Sequence, residues 1–383
     1  MIAYQGAAIH DGTTLHTDKM LLVDDGVVTV VAAPPAGCDV AMLDGGIITA
    51  GLVDLQVNGG GGVMFNDDQS VTALRTIAAA HHALGTAHIL PTLITDTPAR
   101  TKAAITAVIH AIAQGVSGIA GIHLEGPHLS VARKGAHDPA LIRPMTDDDL
   151  AVIIDAADRL PNVMVTIAPE NVTNAQIARM ADAGVIVSLG HTDASCATCH
   201  AAFDAGARCA THLFNAMSQL TSREPGLVGA VLERGDVYAG LIADGVHVDP
   251  ATIRVALAAK PDPARIFLVS DAMATAGSDI TEFQLNSRMI KRTDGRLTLA
   301  DGTLAGADLS MWQAVATMSG PVRDSLQTAI ARATSIPAAL LTDPQGAGTL
   351  QSAVYICGDE PSAWLDATNG NWSSISRVTS AIS

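Results

Sequence analysis

"GLVDLQVNGGGG", Gly51 to Gly62, marks the point where the chain changes its rhythm. A short β-type run stands between one glycine and a cluster of them, the punctuation of a strand entering a turn. Upstream, segments are short: "LLVDDGVVTVVAAP" sets an Asp-Asp-Gly turn between two β-type runs, which reads as a hairpin. No helical spacing occurs before Asp67. Downstream, strand candidates recur as "AHILPT", "IAGIHLEG", "VMVTIAPE", "VIVSLGH", "ARCATHLF", "VYAGLIADG" and "RIFLVSDAM". Between most of them lie Ala-rich stretches with helical periodicity, such as "SVTALRTIAAAHHALG" and "PARTKAAITAVIHAIAQG". With "LVDLQV" these make eight strands, which fits a (β/α)8 TIM-type barrel over residues 51–337. A doubly wound open sheet is the alternative topology.

Two insertions interrupt the alternation. "GPHLSVARKGAHDPALIRPMT" follows the third strand and "SDITEFQLNSRMIKRTDGRLTLADGTLAG" the eighth, the latter with Asp-Gly turns that predict a hairpin. Past Ile336 the segments are again short and β-type. Residues 1–50 and 338–383 are therefore assigned together to a small β-sandwich appendage built from both chain ends.

Composition sets broad limits. Hydrophobic residues make up 48% of the chain and charged residues 16%, enough apolar material for a large layered core. A formal net charge of −16 argues against nucleic acid as a partner, while a small anionic substrate is read by a few local groups. The opening "MIAYQGAAIHDGTTLHTDKM" has no basic segment followed by an apolar one, and no run approaches the roughly 18 apolar residues of a membrane span. Five cysteines, odd in number and sparse, fit a reducing cytoplasm.

The chemistry is suggested by position. Glu125, His191, His212, His247 and Asp271 each lie at or just past the end of a predicted strand. In a parallel barrel those ends open on one face, where active sites of this fold lie. A single histidine there is more often a core or capping residue; five such placements point to a site. One carboxylate and two imidazoles suffice for a catalytic zinc, leaving a position for water. A further carboxylate, for which Asp271 is placed, can then move a proton. "CATCH", Cys196 to His200, matches a c-type haem attachment pattern, but that linkage needs export. It reads instead as two incidental cysteines on an Ala-rich helix. "NGGGG", Asn58 to Gly62, lacks the Gly-Lys-Ser/Thr of a phosphate-binding loop and reads as a strand-to-helix turn.

From Ala50 to Ile336 the chain resembles the N-acetylglucosamine-6-phosphate deacetylase family of the amidohydrolase superfamily. The resemblance runs in order through "GLVDLQVNGGGG", "GIHLEGPHLS", "RKGAHDP", "SLGHTDAS", "THLFNAM", "REPGLVGA", "IADGVHVD", "VSDAMATAG" and "GTLAGADLSM". It implies Glu125, His191 and His212 as metal ligands and Asp271 as the catalytic acid/base. It implies sugar contacts from Ala136, His137, Asn215, Ala216, His247, Leu304, Ala305 and Gly306, with Arg223 directed at the phosphate. Some members carry His-x-His on the first strand and hold two metals. Others carry Gln-x-Asn and work with one, so Gln56 and Asn58 take the place of the second-metal ligands.

The resemblance thus implies one divalent ion, zinc first, although a His2Glu set also accepts iron, cobalt or manganese. It implies a small amino-sugar phosphate as substrate, losing its acetyl group to water, and a cytoplasmic homodimer. Another amidohydrolase activity, on N-acyl amino acids or cyclic amides, is a second reading; a non-catalytic barrel used for binding is a third.

Overall fold

The computed structural model describes residues 1–286 and 288–375; Ser287 of the second insertion and residues 376–383 of the appendage segment lie outside them. Eight strands form one parallel sheet in chain order: β1 (Leu52–Val57), β2 (Thr86–Ile94), β3 (Ile122–Glu125), β4 (Val163–Ile167), β5 (Ile186–Leu189), β6 (Cys209–Ala210), β7 (Tyr238–Leu241) and β8 (Ile266–Leu268). The register runs Leu93 to Leu124, Val165 to Val187 and Ala210 to Ala239. The chain beyond β8 returns to β1, where Val57 bridges Ala272 and Asn58 N–H donates to the Ala272 carbonyl at 2.8 Å, so the barrel closes. Every residue of β1, β3, β4 and β5 is buried, as expected for strands covered on both faces.

Helices α1 (Val71–His82), α2 (Pro98–Ala113), α3 (Asp147–Arg159), α4 (Asn174–Asp182), α5 (Cys196–Asp204), α6 (Gly226–Glu233), α7 (Pro250–Ala259) and α8 (Met311–Ser319) follow strands β1 to β8 in turn. Most begin at a residue suited to the task. Ser70, Thr97, Thr146, Thr173, Ser195, Asp249 and Ser310 each accept a first-turn N–H, and Thr146 and Thr173 complete capping boxes with Asp149 and Gln176. These caps lie on the strand-exit side of the barrel, where they pin the loops that carry the candidate residues. No helix among the described residues is long and apolar enough to cross a membrane.

The "ARCATHLF" strand is shorter than its pattern predicts. β6 pairs only at Cys209 and Ala210, because backbone left-handed at His212 (φ 29°) and Phe214 (φ 78°) takes the chain out of the sheet. "NGGGG" also gives more than a simple turn: Gly59–Gly60 pairs with Val63–Met64 about Gly61 (φ 61°) and Gly62 (φ 85°). The second insertion is a four-stranded antiparallel meander, Glu282–Leu285, Arg288–Thr293, Arg296–Thr298 and Leu304–Ala307. Its core of Phe283, Leu285, Ile290 and Leu297 packs with Met64, Ile94 and Met273 at the barrel mouth.

Both chain ends build the appendage. Ala8–His10, Leu15–His16 and Ile47–Ala50 join Ala353–Cys357, Glu360–Asp366 and Asn371–Ser374 in a six-stranded sheet, with Ala50 opposite Ala353. A four-stranded sheet of Ile2–Gln5, Met20–Asp24, Val27–Val31 and Asp39–Met42 accompanies it. Ile9, Leu21, Val23, Ile48 and Ala353 share one apolar cluster between the sheets. The Asp-Asp-Gly hairpin turns at Asp25 (φ 47°) and Gly26 (φ 79°), as a two-residue turn with both φ positive requires.

Candidate active site

Glu125 ends β3, and His191, His212 and Asp271 lie two or three residues beyond β5, β6 and β8. The Glu125 Oε1 atom is 3.2 Å from His191 Nε2 and 3.1 Å from His212 Nε2, and the two nitrogens are 3.1 Å apart. All three side chains are buried. Their convergence depends on unfavourable backbone: His191 (φ 46°), His212 (φ 29°), Ala216 (φ 48°) and Asp271 (φ 49°) are all left-handed. Each such residue costs about 1–3 kcal/mol, a strain that persists where surrounding structure enforces it.

The donor set fits a metal. Donors about 2.0–2.1 Å from a tetrahedral ion stand about 3.3 Å from one another, close to the observed spacing. Two imidazole nitrogens facing each other at 3.1 Å beside a carboxylate call for a cation or proton among them. His191 Nδ1 donates to the Arg133 carbonyl at 2.8 Å, which leaves the Nε2 lone pair of the neutral ring free to ligate. Burial would raise the Glu125 pKa, but its close contacts with His191 and His212, when those rings carry the proton in place of a cation, hold it well below the usual range.

The first-strand amides face these carboxylates as donors. Gln56 Nε2 lies 3.3 Å from each Glu125 oxygen and 3.1 Å from Asp271 Oδ1, while Asn58 Nδ2 donates to Asp271 Oδ1 at 2.7 Å. An amide that offers N–H to two carboxylates occupies the space between them, and the Asn58 Oδ1 atom, also buried, has no hydrogen-bond partner among the described residues. Burial, reinforced by the charge of Glu125, pushes Asp271 up to about 6.

A cavity of about 550 Å³ opens above this group. Ala136, His137, Asn215, Ala216, His247, Leu304 and Gly306 line it with the candidate ligands, Asn58 and Asp271. His137 Nδ1 lies 2.7 Å from Thr95 Oγ1 and 3.3 Å from the Thr95 amide nitrogen; with Nδ1 as acceptor of both, the ring proton sits on Nε2. Burial and the neighbouring His191 keep this ring well below the usual imidazole range, hence neutral and a donor. Ala305 is fully buried behind the lining, and Gln56 lies below it in β1. Gly306 (φ 65°) brings main chain against Asp271: a Cβ there would meet the Asp271 carbonyl at 2.7 Å and Met273 at 2.6 Å. Arg223 is exposed, lies outside the lining, and makes no hydrogen bond or ion pair with the described residues.

Sequence reasoning missed two groups. Asp244 accepts from His247 Nδ1 at 2.6 Å and, through its other oxygen, from the Val246 and His247 amides, which aims His247. The "ADGVH" spacing could have indicated it. Arg133 lines the cavity, its guanidinium paired with Asp193 at 2.8 Å and its carbonyl orienting His191. Nothing in sequence separates it from an ordinary surface arginine.

Comparison with known proteins agrees with this geometry. A model of the Amidohydrolase family matches residues 47–351. The chain is 41% identical over 352 residues to an N-acetylgalactosamine-6-phosphate deacetylase of Shewanella sp. (strain ANA-3), covering 90% of this chain and 88% of that one. It is 38% identical over 299 residues to an N-acetylglucosamine-6-phosphate deacetylase of Haemophilus influenzae, covering 77% of each. The crystal structure of N-acetylglucosamine-6-phosphate deacetylase from Pasteurella multocida superposes with a TM-score of 0.90 at 33% identity, covering 97% of this chain and 99% of that one.

Proposed function

The chain belongs to the amidohydrolase family, and from that premise we propose that it hydrolyses the acetamide of N-acetylglucosamine 6-phosphate to glucosamine 6-phosphate and acetate. The observation that carries this reading is the meeting of Glu125, His191 and His212 at one point beside Asp271, inside a cavity wide enough for a sugar phosphate. Those three residues are the assigned ligands of one divalent ion, with zinc first and iron, cobalt or manganese as chemical alternatives. When bound, such an ion supplies Lewis acidity, polarising an amide carbonyl and making water nucleophilic near neutral pH.

The remaining steps belong to side chains. Asp271, fixed by the amides of Gln56 and Asn58, takes a proton from the attacking water and returns it to the departing amine. The Nε2 proton of His137 steadies the oxyanion as the carbonyl becomes tetrahedral. His247, aimed by Asp244, and the main chain around Asn215, Ala216 and Leu304 to Gly306 orient the sugar. Arg223, outside the cavity lining, is assigned to the phosphate on the family resemblance and on the fit of a guanidinium fork to phosphate oxygens. The reading includes a cytoplasmic homodimer; five free thiols fit a reducing compartment.

The relative from Shewanella supports a second reading, in which the C4 epimer, N-acetylgalactosamine 6-phosphate, is the substrate. One assay separates the readings: acetate release from both epimers, each with and without phosphate. The proposal expects the phosphorylated gluco epimer to give the highest kcat/KM. A higher value for the galacto epimer would favour the second reading, and no release from either phosphorylated sugar would exclude both.

A further inference from the structure

The "CATCH" stretch, read from sequence as incidental, acquires a partner in the fold. Cys196 opens α5 and His200 follows one turn later, so both project from one face of the helix. Glu233, the last residue of α6, reaches the same spot, with its Oε2 atom 3.1 Å from His200 Nε2. The cysteine sulfur, an imidazole nitrogen and a carboxylate oxygen all lie within 4.8 Å of one another. Cys199 is not part of this group: it is fully buried, its sulfur near the Ala194 carbonyl.

We propose that Cys196, His200 and Glu233 form a second, peripheral cation site that takes a thiophilic divalent metal of the zinc class, separate from the site in the barrel mouth. Thiolate, imidazole and carboxylate are the three ligand types zinc uses, and two ligands one helical turn apart are a standard chelating geometry. Bound donors would stand about 3.3–3.8 Å apart, so a group whose atoms lie within 4.8 Å of one another need close by no more than about 1.5 Å. The side chain of Glu233, 73% exposed, can make that movement by rotation. Cys196 and His200 are only partly buried, which leaves solvent access for the ion and for a completing water.

The site also has a mechanical consequence. Glu224 Oε1 already accepts from the Cys196 amide at 2.7 Å and the Gly226 amide at 3.0 Å, joining the starts of α5 and α6. A cation at Cys196, His200 and Glu233 adds a second clasp between the same helices. The loops that lead into these helices carry His191 and His212.

Cobalt(II) provides the test, since the barrel-mouth ligands contain no sulfur. Titration of metal-stripped protein with up to two equivalents should produce a thiolate-to-cobalt charge-transfer band in the near ultraviolet as the second equivalent binds. Cys196→Ser should abolish the band, and His200→Ala should weaken the second binding event at least tenfold. Both variants should take up the first equivalent as the parent does and show parental deacetylase turnover, which also establishes that they fold. Absence of the band in the parent, or a band of equal strength in Cys196→Ser or of unchanged affinity in His200→Ala, overturns the proposal. These outcomes are independent of which sugar the enzyme cleaves.

Discussion

His191, His212 and Asp271 hold positive φ values that non-glycine residues seldom adopt, and all three sit just past the end of a strand. Their identity and strand-end position were legible in the sequence; the strained backbone that turns them inward was not, because nothing in local composition marks it. The amide pair was half legible. Gln-x-Asn announced the loss of metal ligands, and the structure adds that Gln56 and Asn58 hold Asp271. Asp271→Asn should therefore lower kcat by at least a thousandfold while bound metal stays at the parental level; near-parental turnover would remove Asp271 from its role. With its pKa raised to about 6, Asp271 is protonated below that pH and cannot accept a proton. The acid limb of kcat/KM should fall tenfold per pH unit, with a midpoint no higher than about 6, since a nearby cation favours the carboxylate. Arg223 tests the substrate assignment. Arg223→Ala should raise KM for the phosphorylated sugar about tenfold or more and leave the unphosphorylated sugar unaffected, whereas an unchanged KM would remove the phosphate role.

Among the elements, the seam between β1 and the chain beyond β8 is the one on which the mouth depends. Asp54, fully buried, accepts from both the Ser270 amide and its hydroxyl, and so stitches that seam below Gln56 and Asp271. Its burial raises the pKa to about 7. Between about pH 4 and 7 the folded state holds a proton that the unfolded chain releases, so this residue makes stability fall as pH rises through that window. Asp54→Asn keeps an acceptor for Ser270 and removes the slope. Urea unfolding should show the variant gaining on the parent by up to about 1.4 kcal/mol per pH unit across part of that window; an equal difference at pH 5 and pH 7 would contradict the account. Strand existence was readable from apolar runs, but strand length was not. β6 ends early because the chain must leave the sheet to deliver His212, a tertiary demand that overrides local pattern. The insertion after β8 was legible as a hairpin but not as a four-stranded meander, since its packing against Met64 and Met273 is long-range.

At the scale of the whole molecule, the two chain ends meet the barrel at Gly51. A Cβ at that position would lie 2.3 Å from Ala87 Cβ and 2.8 Å from both the Ser352 carbonyl and Trp364. Trp364 stacks on His82 with ring centroids 4.1 Å apart and donates to its carbonyl at 3.1 Å, a further weld between appendage and α1. Gly51→Val should lower stability by roughly 1–3 kcal/mol through overpacking, read as a lower urea midpoint with kcat of the folded fraction preserved. A midpoint equal to the parent's would show that the junction does not constrain the fold. We propose the division of residues 1–50 and 338–383 from 51–337 on these contacts. The pairing of both ends was legible from their shared short-strand pattern, while the junction's tight packing arises from contacts between residues far apart in the chain, which local pattern does not encode. The central claim is that one cation, held by Glu125, His191 and His212, serves a deacetylase. It is tested most directly by restoring metal to stripped Cys196→Ser protein, in which the peripheral site is disabled, and following acetate release from N-acetylglucosamine 6-phosphate. Activity should rise linearly and reach its plateau at one equivalent per chain; no acetate at any occupancy, or a plateau only at two equivalents, would contradict the account.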